Sequence, residues 1–195
     1  MTDTDDDARD ARAVLTRDPA MADLVAEHGP LTLEPADDPF ERLVVAVVNQ
    51  QLSTQSAAAI RDRLFDAVDV TPDGIRNADD DTLRDCGLSA QKIRYVRNIA
   101  DHFPDGIDTA TYADATDDDV RADLTQITGV GDWTADMFLI FCLGRPDVFP
   151  VGDLGIRNAM TAVYGIEDRA AMVEKAEEWS PYRSHAARYL WRAVD

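Results

Sequence analysis

The chain has 195 residues, 38 of them Asp or Glu against 19 Lys or Arg, for a formal charge of −19. That length supports one domain, or two lobes sharing a core, with a substantial buried interior. No stretch reaches the roughly 18–20 consecutive apolar residues of a membrane span, and the Asp-rich start MTDTDDDARD lacks the apolar segment of a secretory signal. A cytoplasmic protein is therefore expected.

Breakers and caps divide the chain into about ten helices, with no period-two alternation that would make a strand, so the fold class is all-α. Short helices are predicted over 5–16 and 18–28, ending near Gly29-Pro30, with residues 1–5 frayed. DPFERLVVAVVNQ opens as a capping box, with Asp38 at N-cap, Pro39 at N1 and Glu41 at N3. Its run Leu43–Val48 is apolar on every side, which predicts a buried helix. A new helix starts at Ser53. DDDTLRDCG forms a short helix stopped by Gly87, and Ser89 caps AQKIRYVRNIADHF. TDDDVRADL repeats the cap with Thr116 and Asp119. Further helices are predicted near 133–143, 154–163, 168–179 and 182–193. Cys86 and Cys142 are too few for a four-cysteine zinc or iron–sulfur site and read as packing residues. The three histidines have no metal-ligand spacing.

Between the last two groups of helices lies LTQITGVGDWTADM, a hairpin over about 124–137. Glycines there permit positive φ and close approach of another backbone. Successive N–H groups at a helix start also form a concave nest that takes a phosphodiester without any lysine. A Gly-x-Gly turn serves equally as a plain connection. Phosphate binding through backbone dipoles would answer the main objection raised by composition, since −19 is the wrong sign for a nucleic-acid partner.

The pattern L-x-x-I-x-G-V-G-x-W-T-A, followed by Asp153 in the loop VFPVGDLG, resembles the helix–hairpin–helix motif and aspartate of DNA glycosylases. PFERLVVAVVNQQLSTQSA (39–57), GLSAQKIRYVRNIA (87–100) and SPYRSHAARYLW (180–191) are similar to one branch, the DNA-3-methyladenine glycosylase II family of alkylation repair. The resemblance implies a single helix–hairpin–helix glycosylase domain over 1–195, with two helical lobes and the active-site cleft between them. It also implies the compact form, without the N-terminal β-domain of larger members.

The activity implied is base excision repair: flipping out and hydrolytically removing alkylated purines of the 3-methyladenine or 7-methylguanine type. Asp153 would stabilise the oxocarbenium-like sugar. It sits at the start of predicted helix 154–163, where a helix dipole favours an anion. Trp133 stands where lyase-type relatives carry a Schiff-base lysine, so a monofunctional enzyme leaving an abasic site is implied. Trp133, Trp191 and Tyr182 would line the base pocket, since aromatic faces attract cationic purines; Trp179 is left in the core, and Met137 replaces a pocket tyrosine of some relatives. Gly129, Gly131 and Thr134 would hold DNA through backbone amides. Gln51, with Leu52 beside it, would fill the gap left by the flipped base.

No cofactor is required, although relatives hold Na+ or K+ on hairpin carbonyls that correspond to Thr125, Ile127 and Val130. The partner implied is double-stranded DNA containing alkylated bases, bound by a monomer associated with the nucleoid. Lys92, Arg94 and Arg97 lie in an acid-free stretch and suggest a near-neutral DNA face. With only two lysines, Lys92 and Lys175, the composition resembles that of proteins from salt-in halophiles. Two other readings remain. A non-catalytic helix–hairpin–helix module would keep Gly129 and Gly131 but not need Asp153. A glycosylase for other damaged or deaminated bases would usually carry the hairpin lysine or iron–sulfur cysteines.

Overall fold

The computed structural model describes residues 3–194, and no strand occurs among them. The expected frayed start includes Met1 and Thr2, which lie outside the described residues. The α-helices are α1 (Asp3–Leu15), α2 (Pro19–His28), α3 (Pro39–Asn49), α4 (Thr54–Ala67), α5 (Pro72–Asn77), α6 (Asp80–Asp85), α7 (Ala90–His102), α8 (Asp117–Leu124), α9 (Asp132–Phe141), α10 (Leu154–Tyr164), α11 (Arg169–Ala176) and α12 (Arg183–Arg192). Short 3-10 turns cover Thr109–Tyr112 and Glu177–Trp179. The chain forms two compact units, one spanning Ala36–Phe138 and the other made of the chain before Ala36 and from Leu139 onward.

In the Ala36–Phe138 unit, α7 packs against α3, α5 and α6. The all-apolar run of α3 is buried from Leu43 through Val48, as its lack of a polar face predicts. Helix starts follow the cap residues: Asp38 accepts the Glu41 N–H, Ser53 the Ser56 N–H and Ser89 the Lys92 N–H. At α8 the Thr116 and Asp119 side chains cap each other's backbone. Helix α5 was not expected, because its six residues PDGIRN include a proline and a glycine, both poor helix formers. Its cap signal is nevertheless present, with Thr71 accepting the Gly74 N–H before Pro72. The helix expected over 168–179 divides into α11 and the 3-10 turn.

In the other unit, α12 packs against α1, α2 and α10. Its apolar interior includes Leu15, Met21, Ile156, Met160, Trp179 and Tyr189. The Tyr189 hydroxyl donates to the Gly29 carbonyl (2.9 Å) and accepts the Leu31 N–H (3.2 Å), fastening the segment after α2. Cys86 and Cys142 are buried thiols, not joined in a disulfide.

Candidate functional site

The hairpin joins α8 to α9, and its side-chain bonds explain how the turn is held. Arg121 of α8 donates to Asp136 of α9 (2.9 Å). Burial pushes the Asp136 carboxyl above the usual carboxylate range, against the pull of the Arg121 guanidinium. Two turn carbonyls are pinned from α7 and from the segment after α3. The Thr128 carbonyl accepts Asn98 Nδ2 (2.9 Å), and the Gly129 carbonyl accepts Gln50 Nε2 (3.0 Å).

The two glycines then divide their roles. Gly129 has φ +110°, and a Cβ there would lie 2.2 Å from a Tyr95 ring carbon, so glycine is required by backbone and packing alike. Gly131 lacks positive φ, contrary to the simplest expectation for such a turn, and a Cβ there would meet no protein atom within 4 Å. It is exposed at the start of α9, where the first N–H groups of any helix lack intrahelical partners. Trp133 is half-buried in the first turn of α9. Thr134 is buried, and its hydroxyl accepts a second bond from Gln50 Nε2 (2.9 Å).

Gln51 and Leu52 follow directly after α3 and are both exposed. With Gln50, Lys92, Tyr95 and the hairpin glycines they border a cavity of about 570 Å³ in this unit. Of Lys92, Arg94 and Arg97, the residues expected on a near-neutral DNA face, two are engaged within the protein. Lys92 Nζ is spent on the carbonyls of Val48 (2.6 Å) and Gln50 (2.8 Å), and burial pushes its ammonium below the usual lysine range. Arg97 bonds the Ala78 carbonyl (2.9 Å) and Asp80 (2.7 Å). Arg94 stays exposed.

The other unit holds Asp153. It is the N-cap of α10, and its Oδ1 accepts both the Ile156 N–H (2.9 Å) and the Trp191 indole N–H (2.8 Å). Trp191 in turn stacks on Phe141 at 5.7 Å between ring centroids. Gly155 keeps the cluster tight, because a Cβ there would lie 3.0 Å from both Asp153 Oδ1 and the Trp191 ring. Asp153 and Trp191 are thus brought together, and Trp191 acts on the carboxylate as well as presenting an aromatic ring. Tyr182 is not brought to them. It precedes α12 by one residue, nine positions before Trp191, or about 13 Å along a helix axis. Its ring meets His185 edge-on at 5.9 Å, and burial, with Asp7 and Asp10 nearby, raises its phenol. Nothing in its surroundings supports the pocket role expected for Tyr182. Gln50, Tyr95 and Asn98 were missed, since their partners lie 30 or more residues away in sequence and leave no local signal.

The structure thus has a glycine-pinned hairpin with Gly131 exposed at a helix start and, in the other unit, a tryptophan-held aspartate at the start of α10. Residues 44–181 match the HhH-GPD superfamily of base excision DNA repair proteins, and the chain belongs to it. Among its relatives, DNA-3-methyladenine glycosylase 1 of Schizosaccharomyces pombe is 36% identical over 182 residues, covering 88% of this chain and 79% of the relative. The solved structure of Schizosaccharomyces pombe 3-methyladenine DNA glycosylase in complex with abasic DNA superposes with a TM-score of 0.84 at 32% identity, over 94% of this chain and 95% of that one. A DNA-3-methyladenine glycosidase from Bacillus halodurans gives a TM-score of 0.75 at 34% identity, over 92% and 86%.

Proposed function

We propose that this protein is a monofunctional DNA glycosylase of base excision repair. It acts as a monomer on double-stranded DNA, flips out alkylated purines and hydrolyses their N-glycosidic bond, leaving an abasic site. The observation that carries this reading is Asp153, fixed by Trp191 and by the first turn of α10. An alkylated purine is already a cationic leaving group, so the barrier lies in the positive charge that develops on the sugar. A carboxylate held in place lowers that barrier without reorganising, and water completes the displacement.

In this reading the Gly131 and Thr134 amides hold a phosphate, Gln51 fills the vacated space, and Trp133 stacks on the extruded base. Trp133 has no amine with which to form a Schiff base, so strand cleavage does not follow. The protein works in the cytoplasm at the nucleoid; no helix among the described residues is long and apolar enough to cross a membrane.

No cofactor takes part in the chemistry. The Thr125, Ile127 and Val130 carbonyls are neutral oxygen donors grouped on one turn, suited to Na+ or K+. Ile127 already accepts the Val130 N–H (2.9 Å) and retains a second lone pair for a cation. Replacing K+ by tetramethylammonium at equal ionic strength should then lower the melting temperature; an unchanged value removes the cation from the account.

The deciding experiment incubates methylated duplex DNA with the protein in KCl and identifies the bases released. Free 3-methyladenine or 7-methylguanine, with strands that break only after alkali, supports the reading. Tight binding without release would instead favour a non-catalytic module. The charge of −19 adds a salt dependence. At 0.01 M salt the field of the protein reaches about 30 Å and repels DNA, whereas molar KCl screens it to about 3 Å. Excision should therefore rise toward about 1 M KCl, where that screening is nearly complete. A steady decline above 50 mM would refute the halophilic part alone.

A further inference from the structure

Gln51 has φ +57°, the one non-glycine residue at positive φ among those described. A side chain with a Cβ adopts that conformation only where its surroundings impose it. The turn is closed by its own bond, the Leu52 N–H on the Asn49 carbonyl (3.3 Å), and is held further by bonds from outside it. Helix α3 ends at Asn49, and its last carbonyls have no intrahelical partner. Lys92, reaching from α7, bridges two carbonyls at this end, those of Val48 (2.6 Å) and Gln50 (2.8 Å). A compact ammonium with three donors on a flexible stem suits that bridge, and this is one of only two lysines in the chain.

The residue immediately before Gln51 is therefore fixed twice. Its main-chain carbonyl is held by Lys92, and its side-chain amide crosses to the hairpin at the Gly129 carbonyl (3.0 Å) and the Thr134 hydroxyl (2.9 Å). Gln51 and Leu52, by contrast, project exposed beside the cavity. The turn is rigid at its base and free at its tip. The same amide that anchors it also ties it to the loop assigned to phosphate binding.

We propose that Lys92 and Gln50 are positioning residues that preset Gln51 for entry into the base stack and couple it to the hairpin. This inference rests on the glycosylase reading with Gln51 as the inserted side chain. Preorganisation removes the ordering cost of the turn when DNA binds, so it contributes to extruding the base rather than to breaking the glycosidic bond.

The test separates these two steps. Single-turnover excision by Lys92→Met and Gln50→Ala is measured on two duplexes, one with the alkylated purine paired and one with it opposite an abasic site, where extrusion costs least. Both variants should lose about tenfold on the paired substrate, and most of that loss should vanish on the unpaired one. Lys92→Arg should recover part of the rate, because it keeps a cation with several donors. Equal losses on the two substrates, or no loss on the paired one, would overturn the proposal. Failure of the unaltered protein to excise from either duplex would overturn the glycosylase reading instead. Thermal melting in the same KCl accompanies each variant; should Lys92→Met not fold, Gln50→Ala decides the matter on the same criterion.

Discussion

Asp18 and Asp153 each precede a helix, cap its first turn and accept a tryptophan N–H. Around Asp18 the shell is closed. Its Oδ1 accepts the Ala20 and Met21 N–H groups, while its Oδ2 accepts Trp179 (3.3 Å), the Tyr164 hydroxyl (3.0 Å) and Lys175 (2.9 Å). The residue is 6% exposed. Asp153 is half-buried, and the donors described for it, the Ile156 N–H and Trp191, are neutral and crowd onto Oδ1. One cap is a keystone whose charge is matched by a lysine. The other is a half-buried carboxylate at a helix start, with a tryptophan N–H fixing its Oδ1, and a fixed charge is what stabilisation of a transient cation requires. The two share local chemistry, and their surroundings decide what each does.

The largest expected effects separate the two caps outright. Asp153→Asn should slow base release by about 10²-fold or more, as removal of a preorganised charge does, with little change in melting temperature. Asp18→Asn should cost about 3 kcal/mol of stability, the scale for breaking a buried ion pair, while the folded fraction excises normally. Single-turnover kinetics and denaturant melts in the same KCl measure both. Near-normal excision by Asp153→Asn would abolish the distinction.

The hairpin repeats the contrast on a smaller scale. Gly129→Ala places a methyl 2.2 Å from Tyr95 and forces positive φ on alanine, so it should lower stability by about 2 kcal/mol. Gly131→Ala meets no protein atom, and its melting temperature should stay put while affinity for abasic-site DNA falls. Equal melting temperatures for the two variants would contradict the division of roles.

The tryptophans sharpen the comparison further. Trp191→Phe keeps the stack on Phe141 but removes the N–H from Asp153, so excision should fall about tenfold through misplacement of the carboxylate. If the indole acted by stacking alone, phenylalanine would preserve the rate. Trp179→Phe should alter stability only.

The smallest effect is a pH signature. Burial alone would raise the Asp18 carboxyl, but the bonds from Lys175, the Met21 N–H and Tyr164 outweigh it and hold it below its ordinary value of 3.8. A depressed carboxylate stabilises the fold above that unfolded-state value, and the contribution is lost as pH falls through the folded one. The stability gap between the unaltered protein and Asp18→Asn should therefore be full at pH 7 and shrink below pH 3.8. A gap that does not change with pH would detach Lys175 from the cap.

Local chemistry made much of this protein legible from its residues in order. Asp38, Ser53, Ser89, Thr116 and Asp153 announced helix starts because a cap acts within three residues of itself. The apolar run of α3 announced burial because a helix without a polar face has nowhere else to go. The hairpin glycines and the aspartate beyond them carried the superfamily. Sequence could not tell which side chains those elements turn toward one another. Lys92 looked like a contact for DNA and instead caps α3 from 42 residues away. Tyr182 looked like a partner of Trp191 and stands at the opposite end of α12. Trp191 was read for its ring, yet its N–H holds the carboxylate from 38 residues away. Caps and periodicity are decided by neighbours along the chain, whereas the donor a carbonyl or carboxylate receives is chosen only when packing brings distant helices into contact.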